Sequence, residues 1–136
     1  MPQVNPAIAT WQSEDREIGM VEFAPSDTAT DRFPYYSLPD DATFIGAVEA
    51  DALCLQIDDS LCVYDNASRN RILCPAAVSQ PCFVKAMKEL EQHFDKCDAD
   101  DLYCGDLDAA EAVRDRCVNL AGGNEYVPFF TSMLGV

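Results

Sequence analysis

The stretch "DATFIGAVEADALCLQIDDSLCVYD", residues 41–65, admits two secondary structures, and the choice between them sets the fold class. As a helix, it opens with Asp41 or Thr43 as N-cap and runs through Leu53, with Ile45, Val48 and Ala52 on one face. As strands, "LCLQIDDSLCVYD" folds back at Asp58-Asp59-Ser60, a turn between two β-prone runs. The expectation taken forward is a helix followed by a hairpin or turn.

Downstream the helical signals are clearer. Ser79 is a candidate N-cap, and Pro81 falls in the first turn, where a missing N–H costs nothing. Phe83, Met87, Leu90, Phe94 and Cys97 then recur at helical spacing. "CDADDLYCGD" breaks the seam. Asp106 can cap a second helix whose seam is Leu107, Ala110, Val113, Cys117 and Leu120, and Gly122-Gly123 stops it. The apolar tail "EYVPFFTSMLGV" cannot continue that helix past Pro128, so it is expected to dock on a core or a partner.

Upstream, residues 1–42 hold five of the eight prolines: Pro2, Pro6, Pro25, Pro34 and Pro39. Proline fixes φ and removes a donor, so a long helix is not expected. Trp11, Ile18, Met20, Val21, Phe23, Phe33, Tyr35 and Tyr36 are too many large apolar groups for a disordered tail. The segment reads as an ordered arm lying over its own domain or a neighbouring subunit. The expected organisation is an extended arm over 1–42 and a small cysteine-rich helical domain over 43–136. The fold class expected is mainly α: a disulfide-stapled antiparallel hairpin, an irregular arm, and room for one short β-hairpin.

Across 136 residues, 24 Asp and Glu face only 9 Lys and Arg, a formal charge of −15. Such a field repels nucleic-acid phosphates and anionic lipid, and steers basic proteins or cations toward the surface. Nucleic acid is therefore not an expected partner. No apolar run approaches the roughly 20 residues that span a bilayer. The N-terminus lacks the basic start and apolar stretch of a secretory leader, which leaves a protein that needs no cleaved leader or a mature form that has lost one.

Seven cysteines are separated by 7, 11, 7, 14, 6 and 12 residues. No C-x2-C pair exists and His93 is the only histidine, so neither a zinc site nor an iron–sulfur site is expected. Disulfides fit better. Cys82 and Cys97 are about 22 Å apart along a helix, and Cys104 and Cys117 about 20 Å. Folded antiparallel, the two helices bring Cys97 to Cys104 across the turn and Cys82 to Cys117 at the open end. Cys54, Cys62 and Cys74 leave one further bridge, Cys54–Cys74 or Cys62–Cys74, and one free thiol.

This spacing resembles the twin-cysteine helical-hairpin proteins of the mitochondrial intermembrane space, which include accessory subunits of respiratory complexes. Within that family, "DLYCGDLDAAEAVRDRCVNL" is similar in charge and rhythm to the second helix of an acidic, widely spaced member. The likeness covers residues 82–117, and C-x14-C and C-x12-C depart from the family's C-x9-C. It implies import without a cleaved presequence, oxidation after entry, and residence in the intermembrane space.

The expected function is that of a non-catalytic accessory subunit of a membrane-associated assembly of the respiratory chain. Its partners would be other subunits and a basic protein such as cytochrome c, met by Asp95, Asp98, Asp100, Asp101, Asp106, Asp108 and Glu111. The alternative is a secreted, extracellular cysteine-rich effector or signalling ligand, which the glycosylation pattern Asn66-Ala67-Ser68 would suit. No nucleophile motif, phosphate loop or ligand set is present, so no catalytic residue and no cofactor are expected.

Overall fold

A computed structural model describes residues 2–32, 38–67 and 71–136 and shows an α+β fold. The strands are β1 (Glu17–Ile18), β2 (Val21–Phe23), β3 (Ala42–Val48), β4 (Asp51–Gln56), β5 (Leu61–Tyr64) and β6 (Ile72–Ala77). They lie side by side in chain order, each antiparallel to the next. The helices are α1 (Pro6–Ser13), α2 (Ala29–Arg32), α3 (Gln80–Ala99), α4 (Asp101–Cys104), α5 (Leu107–Ala121) and α6 (Val127–Leu134). The expected mainly α fold is overturned: residues 41–65 form three strands, so the expected helix is absent there, while the hairpin at Asp58-Asp59-Ser60 is present as β4–β5.

Two local facts explain why the sequence pointed the wrong way. The β3–β4 register shifts between Phe44 and Gly46, so Ile45 is an extra residue in the ladder. That bulge puts Ile45 and Val48 against the same core although they are three apart, which imitates helical spacing. Ala52, assigned to that face in the helical reading, belongs to the opposite side of the sheet. In addition, β4 and β5 are buried on both faces over Ala52–Leu55 and Leu61–Tyr64, so neither shows the polar alternation that marks a strand.

The two faces of the sheet carry different cores. Leu53, Leu55, Leu61 and Val63 face α3, α5 and α6 in the larger one, with Phe83, Met87, Leu90, Val113, Phe129 and Phe130. Burial of each such side chain is worth about 1.5–3 kcal/mol. The aromatic rings form a chain through it: Phe23 meets Phe83 at 6.3 Å, Phe83 meets Phe129 at 6.4 Å, and Phe129 meets Phe130 edge-on at 5.0 Å. On the second face Phe44, Ala52, Cys54, Cys62 and Tyr64 pack with Ala29 and Leu38.

The β4–β5 hairpin turns where the Asp58-Asp59-Ser60 signal lies. Asp59 N–H donates to Gln56 O at 3.0 Å, Gln56 N–H donates to Ser60 O at 2.8 Å, and Asp59 takes a φ of 73°. This is a three-residue loop with its left-handed position filled by aspartate instead of glycine. The same carboxylate accepts from the backbone and side chain of Gln80 at 3.3 and 2.7 Å, beside the N-terminus of α3. Gln80, only 5% exposed, also donates to Gln3 O at 2.8 Å and accepts from Asn5 N–H at 2.6 Å. One buried amide thus ties the N-terminus, the hairpin and the long helix together.

Over the described residues 2–32 and 38–42, the N-terminal segment is not an irregular arm. Asn5 caps α1, Pro6 sits in its first turn, and Trp11, Ile18, Val21 and Phe23 enter the main core. β2 pairs with β3, so the N-terminal segment supplies two strands to the same sheet. Phe33, Tyr35, Tyr36 and Ser68 lie outside the described residues.

The C-terminal helices follow their local signals. Ser79 Oγ accepts from Cys82 N–H, Asp106 Oδ1 accepts from Ala109 N–H at 3.1 Å, and α5 ends at Gly122. Pro128 opens α6 instead of stopping it, and Phe129, Phe130 and Met133 dock on the core.

Candidate protein-binding surface at the α3–α5 turn

The end of α3, the single turn of α4 and the start of α5 form one projecting corner. Between residues 95 and 111 the chain carries seven carboxylates against one lysine, Lys96. Asp95, Asp98, Asp100, Asp101, Asp106, Asp108 and Glu111 are all exposed, and none makes an ion pair among the described residues. Two of them have structural work as well. Asp100 Oδ1 accepts from Leu102 and Tyr103 N–H at 3.0 and 3.4 Å, capping α4, and Asp106 caps α5.

Amid these charges stand two bare leucines. Leu102 is 88% exposed and Leu107 67% exposed. Leu107 was expected in the seam of α5, but as the first residue of that helix it precedes Ala110, the first seam residue that is buried. Leu102 sits on a helix of four residues, too short to bury a side chain on each side. Sequence reading singled out the acids and passed over Leu102; a leucine inside a run of five nearby aspartates was the available signal.

Beneath this corner, His93 on α3 meets Tyr103 and Cys97. Its Nδ1 lies 2.9 Å from the Tyr103 hydroxyl and its Nε2 3.6 Å from Cys97 Sγ. Lys96 Nζ sits 5.8 Å over the Tyr103 ring. Burial, then the charges of Arg116 and Lys96, push the His93 imidazole below its ordinary value. Burial, then a hydrogen bond to Cys104 and the charges of Cys104 and Asp98, push the Cys97 thiol up to about 11. At neutral pH this is a neutral imidazole beside a neutral thiol, a hydrogen-bonded clasp between α3 and α4. The four-residue spacing of His93 and Cys97 was legible in the sequence; the arrival of Tyr103 was not.

No family model, curated protein or solved structure matches the chain.

All seven cysteines are free thiols. Cys97 and Cys104 do meet across the turn, as the antiparallel reading placed them. Cys117 is fully buried and donates to Ala86 O at 3.4 Å, while half-buried Cys82 lies on α3 one turn before Ala86. Cys54 stands opposite Cys62 in the β4–β5 ladder. Cys74 packs with the larger core on the other side of the sheet, so the structure does not bring it to Cys54. Burial drives Cys54 well above the ordinary thiol range, with Cys62 and Cys117 each pushed up to about 12. Among the described residues no group of three or more His, Cys, Asp or Glu is arranged to hold a metal ion. Among the described residues no helix is long and apolar enough to cross a membrane.

Proposed function

We propose that this protein is a non-catalytic accessory subunit that presents the α3–α5 corner to a basic protein partner. The observation that carries the reading is the coincidence at one corner of seven exposed carboxylates with Leu102 and Leu107. Charge of one sign raises the rate of encounter, and a small apolar anchor among the charges gives the contact its lifetime. A solvated acidic turn would have no use for two leucines in water. The neutral His93–Cys97 clasp, with no ion pair to activate the thiol, supports a structural role for that cluster over a nucleophilic one.

The respiratory-chain and intermembrane-space expectations rest on the cysteine spacing of residues 82–117 alone. In the fold α3 and α5 roof a sheet, so the reading put to the test is the chemistry of the partner and not the identity of the host assembly.

The test uses the full chain with cytochrome c as the basic probe, followed kinetically at low and high salt. Replacing Asp98, Asp101 and Asp108 by Asn, which spares the caps, is expected to slow association, most strongly at low salt. Leu102→Ser is expected to speed dissociation while leaving association nearly unchanged. Binding that neither set of substitutions alters would overturn the proposal.

A further inference from the structure

A cavity of about 300 Å³ opens between the end of the sheet and α6. Its walls are apolar, with Met20, Val48, Val63 and Phe129 among them, and Glu49 and Asp51 add two carboxylates. That volume lies at the lower end of the range for small-molecule sites, and an apolar chamber with a few polar groups is their usual form.

The placement of Asp51 is unusual, while Glu49 is exposed at the turn beside it. Asp51 is the first residue of β4 and shares the helix-facing side of that strand with Leu53 and Leu55, both fully buried. It is opposite Val48 in the ladder and half-buried, on a face that is otherwise core. One of its oxygens accepts from Asn66 N–H at 3.1 Å. Its charge reaches a second lining residue: the half-buried Cys74 thiol is raised first by burial and next by Asp51. Glu49 belongs to the two-residue turn between β3 and β4 and holds a φ of 54°. A left-handed conformation is strained for a non-glycine residue, and asparagine or glycine would relieve it. Neither Glu49 nor Asp51 makes an ion pair among the described residues.

We infer that this cavity is a binding site for a small organic cation, an ammonium or guanidinium group carried on an apolar body. The body fills the space among Val48, Val63 and Phe129, and the charged head meets Asp51 and Glu49. The site is independent of the α3–α5 corner, so neither depends on the other's partner. An anion of the same shape is repelled by both carboxylates, and a neutral analogue leaves them without a counter-charge.

Calorimetric titration of the full chain with phenethylamine and agmatine, against phenethyl alcohol and phenylacetate, tests the assignment. At least one amine is expected to bind saturably in the millimolar range or tighter, with the alcohol about tenfold weaker or worse and the carboxylate silent. Bound amine is also expected to slow alkylation of Cys74, a readout tied to this cavity. Asp51→Asn keeps the acceptor for Asn66 and is expected to lose about tenfold in amine affinity. Glu49→Asn is expected to weaken the amine while leaving the melting temperature equal or higher, since asparagine tolerates the left-handed turn. Saturation absent with both amines, equal binding of the alcohol, or affinity unchanged in both variants would each overturn the inference.

Discussion

His93 is the chain's only histidine, and its surroundings fix the sign of its effect on stability. Its ordinary value is 6.5, and burial with two nearby cations lowers it in the fold. The unfolded chain therefore takes up the proton first as pH falls. The stability associated with neutral His93 is complete above pH 6.5 and declines below it, down to the folded-state value. Denaturant midpoints followed below pH 6.5 are expected to fall for the native chain and to fall less for His93→Gln. Equal slopes would mean that the imidazole titrates as freely in the fold as outside it. Gln80 makes a complementary point at the same scale. Nothing in its sequence context marks it, yet its amide joins three segments, because its partners at Gln3, Asn5 and Asp59 are remote in the chain.

At the scale of elements, α3, α5 and the turn of the β4–β5 hairpin were legible, whereas α1 and the strands β1, β2, β3 and β6 were not. Caps at Ser79 and Asp106, the seam from Phe83 to Leu90 and the glycine stop at Gly122 are all encoded within a few residues of where they act. Strand β3 is encoded differently. Gly46 faces Phe23 across the β2–β3 ladder, where a Cβ would lie 2.6 Å from Glu22 O and 3.1 Å from Phe23 Cα. Both are backbone atoms of the neighbouring strand, so nothing flexible can yield. Gly46→Ala is expected to cost about 1–3 kcal/mol by forcing β2 from β3. Gly105→Ala, with nothing closer than 3.8 Å, is the control and should change stability by less than about 0.5 kcal/mol. Chemical denaturation of the two variants decides it; equal effects would mean that the close approach of β2 carries no energy. The glycine was visible in the sequence, but the strand that requires it lies more than twenty residues upstream.

For the whole molecule, the sheet sorts the cysteines by access. Cys104 is exposed, Cys74, Cys82 and Cys97 are half-buried, and Cys54, Cys62 and Cys117 are buried. Alkylation under native conditions, read by mass, is expected to modify Cys104 first and to leave the buried three untouched until global unfolding. Denaturation without reductant should then expose seven reactive thiols. A count of one would restore the three-bridge expectation, and early reaction of Cys54 or Cys62 would show the second face of the sheet to be uncovered. Such an experiment reads tertiary structure directly, because seven cysteines at these spacings are compatible with either outcome.

The sequence by itself determined the acidity, the absence of a long apolar helix, the ends of α3 and α5, and the seven carboxylates of the corner between them. These are sums over composition or interactions between residues a turn apart, and both survive without knowledge of the fold. Tertiary structure decided the sheet, the two cores, the environment of each thiol, the exposure of Leu102 and Leu107, and the cavity beside Asp51. The reason is physical. A strand's partner is chosen by pairing across the chain, and burial on both faces erases the alternation that would announce it. In β3 a single bulge completed the disguise by giving a strand the spacing of a helix.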